Sequence, residues 1–102
     1  KQKKKRQALV PNPFQFEILT PEKVFYSGLI TSLVAPGFDG YFGVLAHHAP
    51  LISRSSGGKL KIRETSEAER FFQVGPGIVE VLKNRVIFLT KTAETIPAEA
   101  KR

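Results

Sequence analysis

The residues best suited to chemistry fall within one stretch, residues 34–53 (VAPGFDGYFGVLAHHAPLIS), which holds the sole aspartate, Asp39, both histidines, His47 and His48, and Ser53. Serine, histidine and aspartate are the parts of an acyl-transfer triad, in which the histidine takes the serine proton and the aspartate orients the imidazole. Ser53 lacks the glycine-flanked, strained turn that exposes a nucleophilic serine, so the triad is not expected. Asp39, His47 and His48 also suggest a metal. Adjacent histidines on a strand point to opposite faces, however, and the usual ligand spacing and a fourth ligand are both missing. Phosphate-binding loops fail on similar grounds. Gly57-Gly58-Lys59 is followed by Leu60 rather than a hydroxyl residue, and Gly75-Pro76-Gly77 has a proline where an anion-binding nest needs an amide donor. No catalytic residue, metal ligand, nucleotide site or cofactor is therefore expected. The stretch reads as turns and contacts.

The elements that must position it are strands. Residues 14–19 alternate, with Phe14, Phe16 and Ile18 on one face and Gln15 and Glu17 on the other, before a turn at Thr20-Pro21-Glu22-Lys23. A short strand over 24–26 is broken at Ser27-Gly28, and another over 29–35 is stopped by Pro36-Gly37. Asp39-Gly40 is a hairpin signal. Segments 41–45 and 50–55 flank the histidines. In 59–63, Leu60 and Ile62 face inward while Lys59, Lys61 and Arg63 face outward. Strands over 71–74, 78–82 and 85–90 follow, the last two joined at Lys83-Asn84. Eight to ten short strands at this spacing predict an all-β sandwich or barrel, with no sustained helical period before Thr95. The runs Val86-Ile87-Phe88-Leu89 and Val79 with Val81-Leu82 are apolar on both faces, which points to a covered outer face: a partner protein, or equally a neighbouring strand or the terminal segment.

Length and charge narrow the class. At 102 residues with 41% apolar composition, the chain fits one small domain with one core. It has no cysteine for disulfides, no apolar run long enough for a membrane helix and no N-terminal signal-peptide pattern; the absence of methionine suggests a processed or truncated chain. The formal charge of +7 lies in the ends, Lys1 and Lys3 to Arg6 at one and Lys101 and Arg102 at the other. Nine basic residues face nine acidic ones between them. Residues 1–13 are expected to be a flexible basic tail, 14–95 the sandwich, and 96–102 the start of a truncated C-terminal segment. A small β-barrel binding nucleic acid through the basic termini is the alternative, although the basic strand 59–63 carries no aromatic for base stacking.

From Phe16 to Thr90 the chain resembles the N-terminal domain of the epsilon subunit of F-type ATP synthase, the counterpart of the mitochondrial delta subunit. Several groups in order carry the resemblance: Glu17-Ile18-Leu19-Thr20-Pro21-Glu22 with Val24-Phe25-Tyr26-Ser27-Gly28; Val34-Ala35-Pro36-Gly37 with Asp39-Gly40 and Phe42-Gly43-Val44-Leu45; His48-Ala49-Pro50-Leu51-Ile52; Gly57 to Ile62; and Phe72-Gln73-Val74 with Gly77 to Val81. It implies a sandwich of about ten strands and a non-catalytic subunit of the rotating central stalk, clamping the gamma subunit to the c-ring during ATP synthesis and proton transport. Among the partners so implied are gamma and the c-ring, not nucleic acid. The implied location is peripheral to an energy-transducing membrane, a bacterial plasma membrane before an organellar inner one, on the side of the catalytic head. Phe38, Asp39, Gly40 and Tyr41 are implied as the c-ring contact, and His48, Ala49 and Pro50 as the gamma contact. The chain departs from the family in three places. His47 stands where glycine is usual, Tyr41 where bacterial relatives often carry an acid, and only the beginning of the C-terminal helical hairpin is matched, so inhibition of rotation and ATP binding by that hairpin are not carried over.

Overall fold

The computed structural model describes residues 11–97, in which every regular element is a strand. In order these are β1 (Phe14–Leu19), β2 (Val24–Pro36), β3 (Tyr41–Val44), β4 (Leu51–Ser55), β5 (Gly58–Glu64), β6 (Glu69–Val74), β7 (Gly77–Leu82), β8 (Arg85–Thr90) and β9 (Ala93–Ile96). The ladder runs β4-β7-β8-β1-β2-β5-β6-β9, with β3 paired to β2 beyond its contact with β1. All pairs are antiparallel except β1 with β8.

The long strand β2 makes this one ladder into two layers. Its first half pairs with β1 and its second with β5 and β3, and the register shifts between Ile30 and Ser32 where the partner changes. An irregularity of this kind bends and twists a strand, folding the sheet over. The inward residues then meet: Phe14, Phe16 and Ile18 from β1, Ile30, Leu33 and Ala35 from β2, Leu60 and Ile62 from β5, Phe72 and Val74 from β6, and Val79, Val81, Val86 and Phe88 from β7 and β8. Phe16, Ile18, Ile30, Leu60, Ile62, Val79 and Phe88 are completely shielded from solvent. The period-two alternation in the sequence thus becomes core and surface directly.

Nine strands stand among the described residues, against the ten or so implied by the resemblance. The segments 24–26 and 29–35 are a single strand. Ser27 and Gly28 stay in the ladder opposite Glu17 and Phe16, and the Tyr26 ring covers the space where a side chain at Gly28 would stand. The short polar strand β9 was not foreseen; it pairs Ala93–Ile96 with β6 and carries the sandwich one residue past the expected boundary at 95. The basic tail over 1–10 and the C-terminal residues 98–102 lie outside the described residues.

The foreseen turns form, each for a local reason. Thr20 and Lys23 exchange backbone hydrogen bonds of 3.0 and 3.2 Å around Pro21 and Glu22. Lys83 and Asn84 both adopt left-handed backbone, φ 52° and 61°, which matches the right-handed twist of the β7–β8 hairpin they close.

Candidate functional site

The turn between β2 and β3 is built to be held still. The Gly37 amide donates to the Gly40 carbonyl at 2.7 Å, and Gly40 has φ 145°, outside the usual range of larger residues. Ser56, just after β4, ties the turn to the opposite layer. Its amide donates to the Gly37 carbonyl and its hydroxyl to the Phe38 carbonyl, both at 3.2 Å. Phe38 and Tyr41 are 60% and 58% exposed, large apolar surfaces on a pinned loop. The Arg54 guanidinium sits 5.0 Å from the Phe38 ring centre, in cation–π range.

Tyr41 is fixed from the far side of β2. It is the register partner of Pro36, while β5 lies along the other edge of β2, and the Tyr41 hydroxyl accepts a 3.1 Å hydrogen bond from the Lys59 amide. The ring therefore spans the end of β2. Gly58 permits this: its φ is 140°, and a Cβ there would come within 2.9 Å of the Tyr41 oxygen. Beside the ring, Val34, Lys61 and Phe71 are aligned in register across β2, β5 and β6. With Tyr41 and Lys59 they line an open concavity of about 280 Å³.

The histidine segment is at the other end of the sandwich. β4 runs from Leu51, opposite Val81, to Ser55, opposite Gly77, so the 45–50 loop lies near the Lys83–Asn84 turn while Ser56 and the 37–40 turn lie at the end where β7 begins. His47 takes left-handed backbone, φ 64°, the conformation a glycine would adopt freely. Its amide donates to Asn84 Oδ1 at 2.7 Å, and Asn84 Nδ2 donates to the Pro13 carbonyl at 3.1 Å. His48 Nδ1 lies 2.7 Å from the Ala49 carbonyl; a carbonyl only accepts, so Nδ1 is the donor.

Asp39 and the histidines therefore do not meet, and Ser53 Oγ is engaged with the Arg54 carbonyl at 2.9 Å. Among the described residues no group of three or more histidine, aspartate or glutamate side chains is arranged to hold a metal. Sequence reasoning missed Arg54, Lys59 and Lys61 beside the turn, and Asn84 beneath the histidine loop. Alternation had placed both lysines outward, but their proximity to Tyr41 depends on β3 and β5 flanking the same end of β2. A second exposed surface lies on β4, β7 and β8, where Ile52, Ile78, Leu82 and Leu89 face outward and Ile87 is half-buried.

This sandwich, with its pinned turn and its histidine loop at opposite ends, matches known proteins over nearly its whole length. The family described as "ATP synthase, Delta/Epsilon chain, beta-sandwich domain" matches residues 13–96. An ATP synthase epsilon chain of Chlorobium limicola is 41% identical over 78 residues, covering 76% of this chain and 89% of the relative. That of Moorella thermoacetica is 42% identical over 78 residues, but these span 58% of the relative, so the chain covers nearly all of some relatives and under two thirds of others. Among solved structures, a chain of the Euglena gracilis mitochondrial ATP synthase (OSCP/F1/c-ring) superposes with TM-score 0.78 at 17% identity, over 89% of this chain and 60% of that one. One from the Tetrahymena thermophila central stalk and c-ring gives 0.67 at 19%, over 82% and 67%. With the family model covering both layers and the linking strand between them, the chain belongs to the ATP synthase delta/epsilon family, and its described residues form that family's β-sandwich domain.

Proposed function

We propose that this chain is a non-catalytic epsilon-type subunit of the central stalk of a proton-translocating ATP synthase, peripheral to an energy-transducing membrane on the side of the catalytic head. The observation that carries the reading is the family match across residues 13–96. The geometry suits it. A transmitter of torque needs a stiff body and matched surfaces, and a close-packed sandwich with tethered end loops supplies both. Phe38, Asp39, Gly40 and Tyr41 then face the polar loops of the c-ring, where an aromatic wall and a phenol replace the acidic contact of bacterial relatives. His48, Ala49 and Pro50, at the other end, face gamma. The apolar outer face of β7 and β8 adds area to the contact with a neighbouring subunit. The nucleic-acid alternative gains no support, since it rests on termini outside the sandwich.

The test is co-purification with the gamma subunit and c-ring of the same organism. We expect a stable ternary assembly; a well-folded chain that captures neither would sink the reading. Tyr41→Ala should weaken coupling to the ring while leaving the fold intact, because the ring of Tyr41 is exposed and only one hydrogen bond, worth about 1 kcal/mol, is lost.

A further inference from the structure

The concavity beside Tyr41 has a chemistry of its own. Tyr41 accepts the Lys59 amide, which leaves the phenolic hydrogen available as a donor. The Lys59 ammonium stands 5.0 Å from the Phe71 ring centre, and Lys59 makes no ion pair among the described residues. Lys61 is 3.7 Å from Glu69, a carboxylate it shares with Arg63, whose guanidinium is closer at 2.8 Å. Val34 and Phe71 form apolar walls. Arg54 adds a further cation on the far side of the turn, and Asp39 is the one acidic group of the turn itself.

The geometry points to a receptor for a carboxylate side chain presented by the polar surface that this end of the sandwich meets. Two cationic side chains, Lys59 and Lys61, and the neutral phenol of Tyr41 line the same concavity. Glu69 is shared between Lys61 and the closer Arg63, so with Lys59 these groups leave an excess of positive charge at the concavity. That excess favours an anion, and the apolar walls of Val34 and Phe71 suit the methylene stem of an aspartate or glutamate, which inorganic phosphate lacks. The site is continuous with the pinned turn, so the occupant belongs to the same partner as Phe38 to Tyr41. This inference rests on the stalk reading above, with the c-ring as that partner.

The experiment uses the full chain and the gamma–c-ring assembly of its organism, in detergent and free of added lipid. Wild-type binding should weaken several-fold between low and physiological salt, Lys59→Glu should lower affinity about tenfold or more, and Lys59→Arg should keep it. Tyr41→Phe, which removes only the hydroxyl, should cost a few-fold. Carbodiimide treatment of the assembled complex should join Lys59 to a ring aspartate or glutamate, as read by peptide mass spectrometry. Equal binding of wild type and Lys59→Glu, with both folded by thermal melt, would overturn the inference while leaving the stalk reading in place. A wild-type chain that fails to bind the assembly overturns the stalk reading itself. Lys59-dependent binding to anionic phospholipid vesicles, with no effect of Lys59→Glu on the lipid-free assembly, would replace the carboxylate with a membrane headgroup.

Discussion

Single residues show how much local chemistry the alternating pattern conceals. Tyr26 donates to Glu64 Oε2 at 2.7 Å, and Arg70 Nε donates to the same oxygen at 2.7 Å, linking β2, β5 and β6 at the sandwich edge. Burial first, and then the bond to Glu64, pushes the Tyr26 hydroxyl well above its ordinary range. The Glu64 carboxyl is held below its usual 4.5 chiefly by the Tyr26 hydrogen bond, opposed by partial burial and helped by Arg70. A depressed carboxylate contributes stability above its unfolded value, and that contribution is lost as pH falls through the folded one. Tyr26→Phe should therefore cost about 1 kcal/mol at pH 7 in urea denaturation, and the deficit should shrink as acid protonates Glu64, at a pH below the usual carboxylate range. A deficit that stays the same as the pH is lowered until the carboxylates are protonated would place the cost in packing against Phe16 and Phe72 instead. None of this was legible beforehand. Glu64 and Tyr26 are far apart in sequence, and their meeting depends on the register of β2 against β5.

At the scale of elements, the sequence was most readable where turn chemistry is local. Lys83-Asn84, Thr20 to Lys23 and Asp39-Gly40 were all located by residues whose backbone preferences are intrinsic. It was least readable where a tertiary neighbour overrides a preference. Ser27-Gly28 looks like a break, yet pairing with β1 and the Tyr26 ring over Gly28 keep β2 continuous. β9 is short and polar and exists because β6 offers it an edge. Glycines divide the same way. A Cβ at Gly77 would fall on the Leu89 carbonyl, inside the β7–β8 ladder, whereas at Gly43 the nearest atom is the Leu33 carbonyl at 3.8 Å. Gly77→Ala should therefore lose about 2–3 kcal/mol or more of unfolding free energy, against under about 1 kcal/mol for Gly43→Ala. Comparable urea midpoints for the two would mean that the hairpin shifts to absorb the methyl group.

For the whole molecule, the question is which faces the fold leaves for partners. Charge was informative by its placement: the excess of +7 sits in residues 1–6 and 101–102, while the span between them is balanced, so the sandwich carries no net positive charge toward a polyelectrolyte. The apolar runs of β7 and β8 were foreseen to need cover, and the fold leaves their outer side open: Ile52 is 72% exposed, and Ile78 and Leu89 are direct register partners at 44% and 43%. Sequence could not decide between an internal strand and an external partner, because that depends on how β2 folds the ladder over. Among the described residues, no strand lies over this face. Ile78→Thr with Leu89→Thr should keep strand propensity and leave the urea midpoint nearly unchanged, since exposed substitutions away from special features cost within about 0.5 kcal/mol. On the proposed stalk reading the same pair should weaken association with gamma and the ring by up to about tenfold, because under half of the about 1.5–3 kcal/mol for fully burying each side chain remains to be gained and about 1.4 kcal/mol is a factor of ten. Affinity equal to wild type would show that this face stays in water in the complex. On the proposed stalk reading the contact would then fall to the two end loops, each tethered to the sandwich, by Ser56 at one end and Asn84 at the other.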